Sequence, residues 1–342
     1  MKCPVCGEDC VKNAHEIIEI LPTVFSRCPD CHFRILDKNT PLPNRFYQTP
    51  CTCGKRFIDE VYAHLYVIFL EEGIFTGDEP LKAVGSPLIH PGFFMKFPPF
   101  LPKDSLVLLS AHPSNEVAER IIREVPEIKG VVKSDDFVPG ISDPDLDGIP
   151  NTYTLLAGCD IRANVFDTKK GPLVLYKEQS TMHIEFPRRY NPKIEAVEKR
   201  IESFQPEYFV DACSGVGTLG LAAARMGVPH VIMNDIWFAA AFWTAYNLQV
   251  NQEFFKIDDI TMYFDYGELE KDPVVKEPRL VAEATGAQEI KIFQGDYSLL
   301  HTVLPDSRVL AVIDLYEKSD LTATTKILGR WREHVSGEVF IP

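Results

Sequence analysis

Three glycines, Gly215, Gly217 and Gly220, follow an apolar run ending at Asp211 in the stretch YFVDACSGVGTLG. Glycine there lets the chain turn tightly and lets a ligand approach the backbone, and a helix starting at that point would aim amide groups at an anion. Such chemistry belongs to nucleotide binding, and the glycines alone serve a dinucleotide as well as any other nucleotide. Asp211 narrows the choice, because a carboxylate four positions before the first glycine opposes a pyrophosphate but can accept from a cation. Asp235 ends the next apolar run, HVIMND, where a carboxylate can accept from both hydroxyls of a ribose. Asp296 ends a third run in FQGDY, within reach of an adenine amino group. Each aspartate alone could simply cap a helix or a turn. Together at three successive strand ends, they fit one nucleoside-like ligand with a cationic part, of which S-adenosylmethionine is an example.

The second set of chemistry-bearing residues is the cysteines. Seven of the nine lie within the first 53 residues. Cys3, Cys6, Cys28 and Cys31 form C-x2-C, 21 residues, C-x2-C, close to the spacing of a four-thiolate zinc site. Cys51 and Cys53 make a third knuckle, and Cys10, Cys51 and Cys53 with His15 or His32 could form a second site. Iron–sulfur ligation is the rival, since clusters also use four cysteines. Such a module can hold RNA, or can simply staple a small domain that lacks enough core of its own.

These residues need elements to position them. Residues 1–60 read as a zinc-ribbon-like module, and 61–150 as a helix, a linker and a small α/β unit. Within that region FIDEVYAHLYVIFLEEG (57–73) has helical spacing, and the Pro- and Gly-rich 85–104 breaks it. SLVLLS, SNEVAERIIREV and IKGVVK then read as strand, helix and strand, with Ser114 as N-cap. Residues 151–204 supply short apolar runs (TYTLLAG, PLVLYKE, MHIEF) that predict strands, then the helix IEAVEKRIESF. From 205 to 342 strands alternate with helices, which predicts an α/β fold with a Rossmann-like, mainly parallel sheet covered on both faces.

The stretch DACSGVGTLGLAAARMGVPHVIMNDIWFAAAFWTAYNLQVN resembles the cofactor-binding half of class I S-adenosylmethionine methyltransferases. It is most similar to the archaeal and eukaryotic tRNA guanine methyltransferases and the related wybutosine-pathway enzymes. The match rests on Asp211, Gly215, Gly217, Asn234, Asp235, Asn247 and Asn251, and IEFPRRYNPKIEAVEKRI looks like the segment that leads into the first strand of those families. The likeness covers roughly 173–342. It implies S-adenosylmethionine as cofactor, bound by Asp211, Gly215, Gly217, Asn234 and Asp235, to which the glycine pattern adds Gly220 and the strand-end pattern Asp296, and methyl transfer to RNA, within that class tRNA.

The fourth strand ends AVIDLYEKSD, without the proline pair that RNA and DNA amino-methyltransferases of this fold carry there. Asp314 matches the acidic position and is a candidate base, with Tyr316 as a positioning group. The sequence stops at Pro342 after the fifth strand, so either the sheet is short or upstream strands complete it. Transfer of the aminocarboxypropyl arm, a protein or small cofactor-like acceptor, a non-catalytic nucleoside-binding scaffold and a dinucleotide oxidoreductase are the competing readings.

A net charge of −14 over 342 residues disfavours a polyanionic partner, and residues 1–60 are balanced at eight acidic and eight basic side chains. With no apolar h-region at the start and no long apolar run, the expected location is the cytoplasm, with no membrane partner. Asp143, Asp145 and Asp147 before Gly148 open like a calcium loop, but Thr154 stands where Glu is needed. Cys213 could have a lowered thiol pKa at a helix start, or be a small packed residue. Arg188, Arg189, Lys193, Lys199 and Arg200 could meet phosphates, but Glu195 and Glu198 make an ion-paired helix face the simpler reading. His112 and His183 could be acid–base groups or satisfied polar residues.

Overall fold

The computed structural model describes residues 1–141, 148–316, 318 and 320–342, so Asp143, Asp145 and Asp147 lie outside the described residues. Among the described residues no helix is long and apolar enough to cross a membrane. The chain opens with a turn at residues 3–7 and the helix α1 (Ala14–Ile20), whose capping box includes Glu16 Oε2 accepting from Asn13 N at 3.0 Å. A two-residue strand, β1 (Arg56–Phe57), leads into α2 (Ile58–Glu71), buried along nearly its whole length and followed by Gly73 at φ +70°. The stretch 85–104 is no free linker. It holds β2 (Ser86–Ile89) and β3 (Phe100–Leu101), and β3 pairs antiparallel with β1.

The small α/β unit follows as β4 (Leu106–Ser110), α3 (Asn115–Glu124), β5 (Ile128–Lys133) and β6 (Thr154–Gly158), in a sheet of order β2-β4-β5-β6. Ser114 caps α3 by accepting from Val117 N, as its position predicts. Val117, Ala118 and Ile121 of α3 join Val61, Leu65 and Phe69 of α2 in one core.

β7 (Ile161–Phe166) and β8 (Leu173–Glu178) form a separate antiparallel hairpin, and α4 (Pro192–Phe204) follows. β7 escapes a sequence reading because Arg162 and Asn164 interrupt its apolar run. Both are buried because they find partners: Arg162 donates to the carbonyls of Ile89 and Glu185, and Asn164 to that of Glu185. MHIEF (182–186), expected as a strand, is irregular.

The large sheet is built from β9 (Tyr208–Asp211), α5 (Thr218–Arg225), β10 (His230–Asp235), α6 (Phe238–Val250), β11 (Ile257–Met262), α7 (Tyr266–Glu270), β12 (Arg279–Gly286), β13 (Glu289–Gln294), β14 (Val309–Val312), α8 (Leu321–His334) and β15 (Gly337–Phe340). Its order is β11-β12-β13-β10-β9-β14-β15. The five strands from β13 to β15 are parallel and follow the doubly wound order 3-2-1-4-5. Upstream strands do not complete this sheet. Instead the chain between α6 and β13 adds β12, antiparallel to β13, and then β11, antiparallel to β12, at that edge.

Alternation along the strands sends Phe209, Val231, Met233, Leu310 and Val312 to the face covered by α4, α5 and α6. Val210, Ile232, Val309 and Ala311 face Trp331 of α8 on the other side. Two asparagines four positions apart, Asn247 on α6 and Asn251 at its C-cap, fasten β8 to this unit. Asn247 Oδ1 accepts from Tyr176 N (2.7 Å) while its Nδ2 donates to the carbonyls of Tyr176 and Val216, and Asn251 exchanges both bonds with Val174. Their amides take the place of a neighbouring strand.

A candidate cofactor site at the sheet edge and two cysteine centres

In a doubly wound sheet the crevice lies at the carboxyl ends of the strands where the order reverses, here between β9 and β14. Asp211 ends β9 fully buried; its Oδ2 accepts from Gly220 N at 2.8 Å, and its Oδ1 has no hydrogen-bond partner among the described residues. Burial first, then the charge of Asp314, pushes its carboxyl up to about 8, with Asp235 adding to the rise and the Gly220 N–H opposing it. Gly215 (φ +55°) turns the chain, and a Cβ built there meets nothing within 4 Å, so the loop backbone is open to a ligand. Gly217 (φ +87°) starts α5. Gly220 has a different role from close approach to a ligand: a Cβ there would lie 2.3 Å from Met233 Cγ, so glycine lets α5 pack on β10.

Asp235 ends β10 and braces the turn, with Oδ2 accepting from Gly215 N (2.9 Å) and Oδ1 from Trp237 N (3.0 Å). Burial pushes its carboxyl up to about 6 against those two bonds. Asn234 differs from the expected cofactor contact. It is buried, and its Nδ2 donates to the carbonyls of Ala212 (3.1 Å) and Gly295 (2.9 Å), tying together the ends of β9, β10 and β13. Asp296 caps the turn 297–302 by accepting from Ser298 N at 2.8 Å, the plain capping role, and stays partly exposed.

Asp314 follows β14, with Lys193 Nζ 2.7 Å from Oδ2 and Lys318 paired to Oδ1. Two ammonium groups thus hold the proposed base. Tyr316 is exposed and meets His183 edge-on, ring centroids 5.7 Å apart. Burial, then Lys177, holds His183 below its ordinary value, with Lys193 lowering it further and Glu185 and Asp314 opposing, which favours the neutral ring. His112 instead packs on Phe69 and Phe75. The irregular segment 179–185 is a wall of the site that sequence reasoning missed: Thr181 O accepts from Trp237 Nε1 on one side, and His183 reaches Tyr316 on the other.

Cys213 registers the convergence of the four aspartates. Burial and then the charges of Asp235, Asp211, Asp314 and Asp296 raise its thiol pKa well above the ordinary value, which disfavours the thiolate that an activated cysteine needs. The segment 211–220 carries no Lys or Arg to meet a pyrophosphate. Of the basic cluster before β9, Lys193 pairs with Asp314, Lys199 with Glu195 and Arg200 with Glu338.

The cysteines regroup. Cys3, Cys6, Cys28 and Cys31 do not form one site. Cys3 and Cys6 join Cys10 and Cys159, while Cys28 and Cys31 join Cys51 and Cys53, and within each set all four sulfurs lie within 4.8 Å of one another. The first knuckle is completed by Cys10 and by the distant Cys159, the second by the Cys51–Cys53 knuckle, a division that spacing alone does not reveal. Neither histidine takes part; His15 pairs with Glu253. Nearest sulfur separations are 3.6–3.8 Å in the first set and 3.5–3.6 Å in the second. Four thiolates at 2.3 Å around one tetrahedral zinc lie about 3.8 Å apart. A cluster of several irons would hold its cysteines farther apart. Both sets fit one zinc ion each, closed by four thiolates and therefore structural.

No protein-family model matches the chain, and no curated protein matches it. Among solved structures it is similar to Trm1 from Pyrococcus horikoshii in complex with S-adenosyl-L-methionine, at 18% identity over 52% of this chain and 42% of that one, with a TM-score of 0.35. It is also similar to wild-type Trm5b from Pyrococcus abyssi (11%, 74% and 58%, 0.37) and to TYW2 from P. horikoshii in complex with MeSAdo (15%, 81% and 76%, 0.36). The chain spans less than two thirds of the first two. The chemistry of the site rests on its own residues and not on these likenesses.

Proposed function

We propose that the chain is an S-adenosylmethionine-dependent methyltransferase. The observation that carries this reading is that Asp211, Asp235, Asp296 and Asp314 stand at or just beyond the carboxyl ends of four adjacent parallel strands, around a glycine turn with no Lys or Arg of its own. Asp211, buried with one oxygen unpartnered, suits a cationic methionine end, and Asp235 at the neighbouring strand end suits a ribose. When bound, the cofactor supplies an electrophilic methyl group on a sulfonium, which a nucleophile takes by direct displacement. The protein's part is alignment, which supplies most of the benefit in such a reaction. Asp314, Tyr316 and His183 line the acceptor side, with Lys193 and Lys318 as counter-ions to Asp314.

The acceptor we infer is RNA, and within that class tRNA. Support comes from the sequence resemblance and from a cavity of about 710 Å³ beside the second cysteine set, lined by Phe33, Phe57, Phe94 and Phe97 with Arg27 and Lys96 as its charged residues. The exposed rings of Phe33, Phe94 and Phe97 beside these cations suit unpaired bases and their phosphates. Incubation with labelled S-adenosylmethionine and either tRNA or fractionated cell extract tests the reading. Label is expected in tRNA. Label in protein or small molecules would move the acceptor, and cofactor binding without any transfer would favour a scaffold.

A further inference from the structure

Cys159 stands 149 positions from Cys10, in the turn between β6 and β7, yet its sulfur lies 3.8 Å from both Cys3 and Cys10. Its own turn is tight. Cys159 N donates to Lys129 O at 2.8 Å, and a Cβ on the preceding Gly158 would stand 2.3 Å from that same carbonyl. The N-terminal segment reaches the turn by lying on the large unit: Lys12 N donates to Tyr176 Oη on β8 (3.0 Å), and Tyr246 Oη on α6 donates to Lys2 O (2.5 Å). Three ligands from the first ten residues therefore meet one ligand from the middle of the chain.

From Cys159 a hydrogen-bonded path runs to the proposed cofactor site. The next residue, Asp160, is fully buried and accepts from Ser180 N at 2.7 Å. Thr181, which donates to Glu178 at 2.9 Å, offers its carbonyl to Trp237 Nε1 at 3.3 Å. Trp237 N in turn donates to Asp235 Oδ1 at 3.0 Å. Every step is a contact to buried or half-buried groups, so moving the Cys159 turn leaves polar groups unpaired along the wall.

We propose that Cys3, Cys6, Cys10 and Cys159 bind one zinc ion as a clasp, which fixes the N-terminal segment to the β6–β7 turn and thereby positions the 180–182 wall and Asp235. The second set, Cys28, Cys31, Cys51 and Cys53, staples its own module and makes no such connection. The coupling rests on the S-adenosylmethionine reading above; the metal centre itself does not.

The test uses the full chain purified with zinc. Metal per chain is measured by plasma mass spectrometry, and S-adenosylmethionine affinity by calorimetry. Wild type is expected to hold two zinc ions, Cys159→Ser one, and Cys53→Ser one. Cofactor affinity is expected to fall at least tenfold in Cys159→Ser and stay within twofold in Cys53→Ser. Should Cys159→Ser fail to fold, Cys6→Ser removes a less buried ligand of the same centre and carries the same expectations. Two zinc ions retained by both the Cys159 and Cys6 variants would overturn the centre, and so would iron in place of zinc. Loss of one zinc with unchanged cofactor affinity would overturn the clasp. If wild type holds two zinc ions and binds no cofactor, the cofactor reading fails and the coupling with it, while the zinc counts still decide the centre.

Discussion

A carboxyl group buried at a strand end with one oxygen unpartnered resists ionising, and burial with Asp314 and Asp235 pushes Asp211 up to about 8 from an ordinary 3.8. Between about pH 4 and 8 the folded chain keeps a proton that the unfolded chain has released, so the ligand-free protein loses stability as pH rises through that window. A cation set beside Asp211 displaces that proton. Affinity for S-adenosylmethionine should therefore rise from about pH 6 to 8, with proton release that makes the calorimetric heat depend on the buffer. Flat affinity and no proton release would put the methionine end elsewhere. Asp235 also holds Gly215 and Trp237, so Asp235→Asn is a cleaner probe than alanine, keeping one acceptor oxygen. Bonds to a charged group are worth roughly 1.5–3 kcal/mol, so cofactor affinity should drop at least about tenfold while far-ultraviolet circular dichroism stays unchanged. Unchanged affinity would place the ribose away from β10.

At the scale of elements, α6 holds β8 through amides. Asn247→Ala leaves the Tyr176 backbone pair and the Val216 carbonyl buried without those partners, and should cost about 1–3 kcal/mol in urea unfolding. A change within error would mean the hairpin is held by its apolar side chains alone. Period and punctuation made α2, α3, α4, the β9–α6 alternation and β13 to β15 readable, because local pattern and burial agree there, whereas β11, α7 and β12 were not read from the sequence. β7 was hidden because Arg162 and Asn164 are buried by partners 20 or more positions away. The same limit applied at the site. Strand-end carboxylates could be read in order along the chain, but Asn234 as a brace, the 179–185 wall held by Trp237 and Lys318 on Asp314 depend on which loops meet. Cys159 stood 106 positions from any other cysteine to its N-terminal side, so only tertiary structure assigns it.

Across the whole molecule, a charge of −14 sets the terms for an RNA acceptor: binding must come from local cations such as Arg27 and Lys96 at the aromatic cavity. tRNA binding should weaken steeply with salt, and Phe97→Ala with Arg27→Ala should weaken it further without changing cofactor affinity. No tRNA binding at low salt would remove RNA as acceptor while leaving the cofactor site standing. The acceptor, the coupling through the zinc clasp and the catalytic roles all depend on that site. Calorimetry of the zinc-loaded chain with S-adenosylmethionine, S-adenosylhomocysteine and NAD tests it most directly. One molecule each of the first two should bind per chain, and NAD should not; binding of NAD alone, or of none of the three, would rule out an S-adenosylmethionine site at this sheet edge.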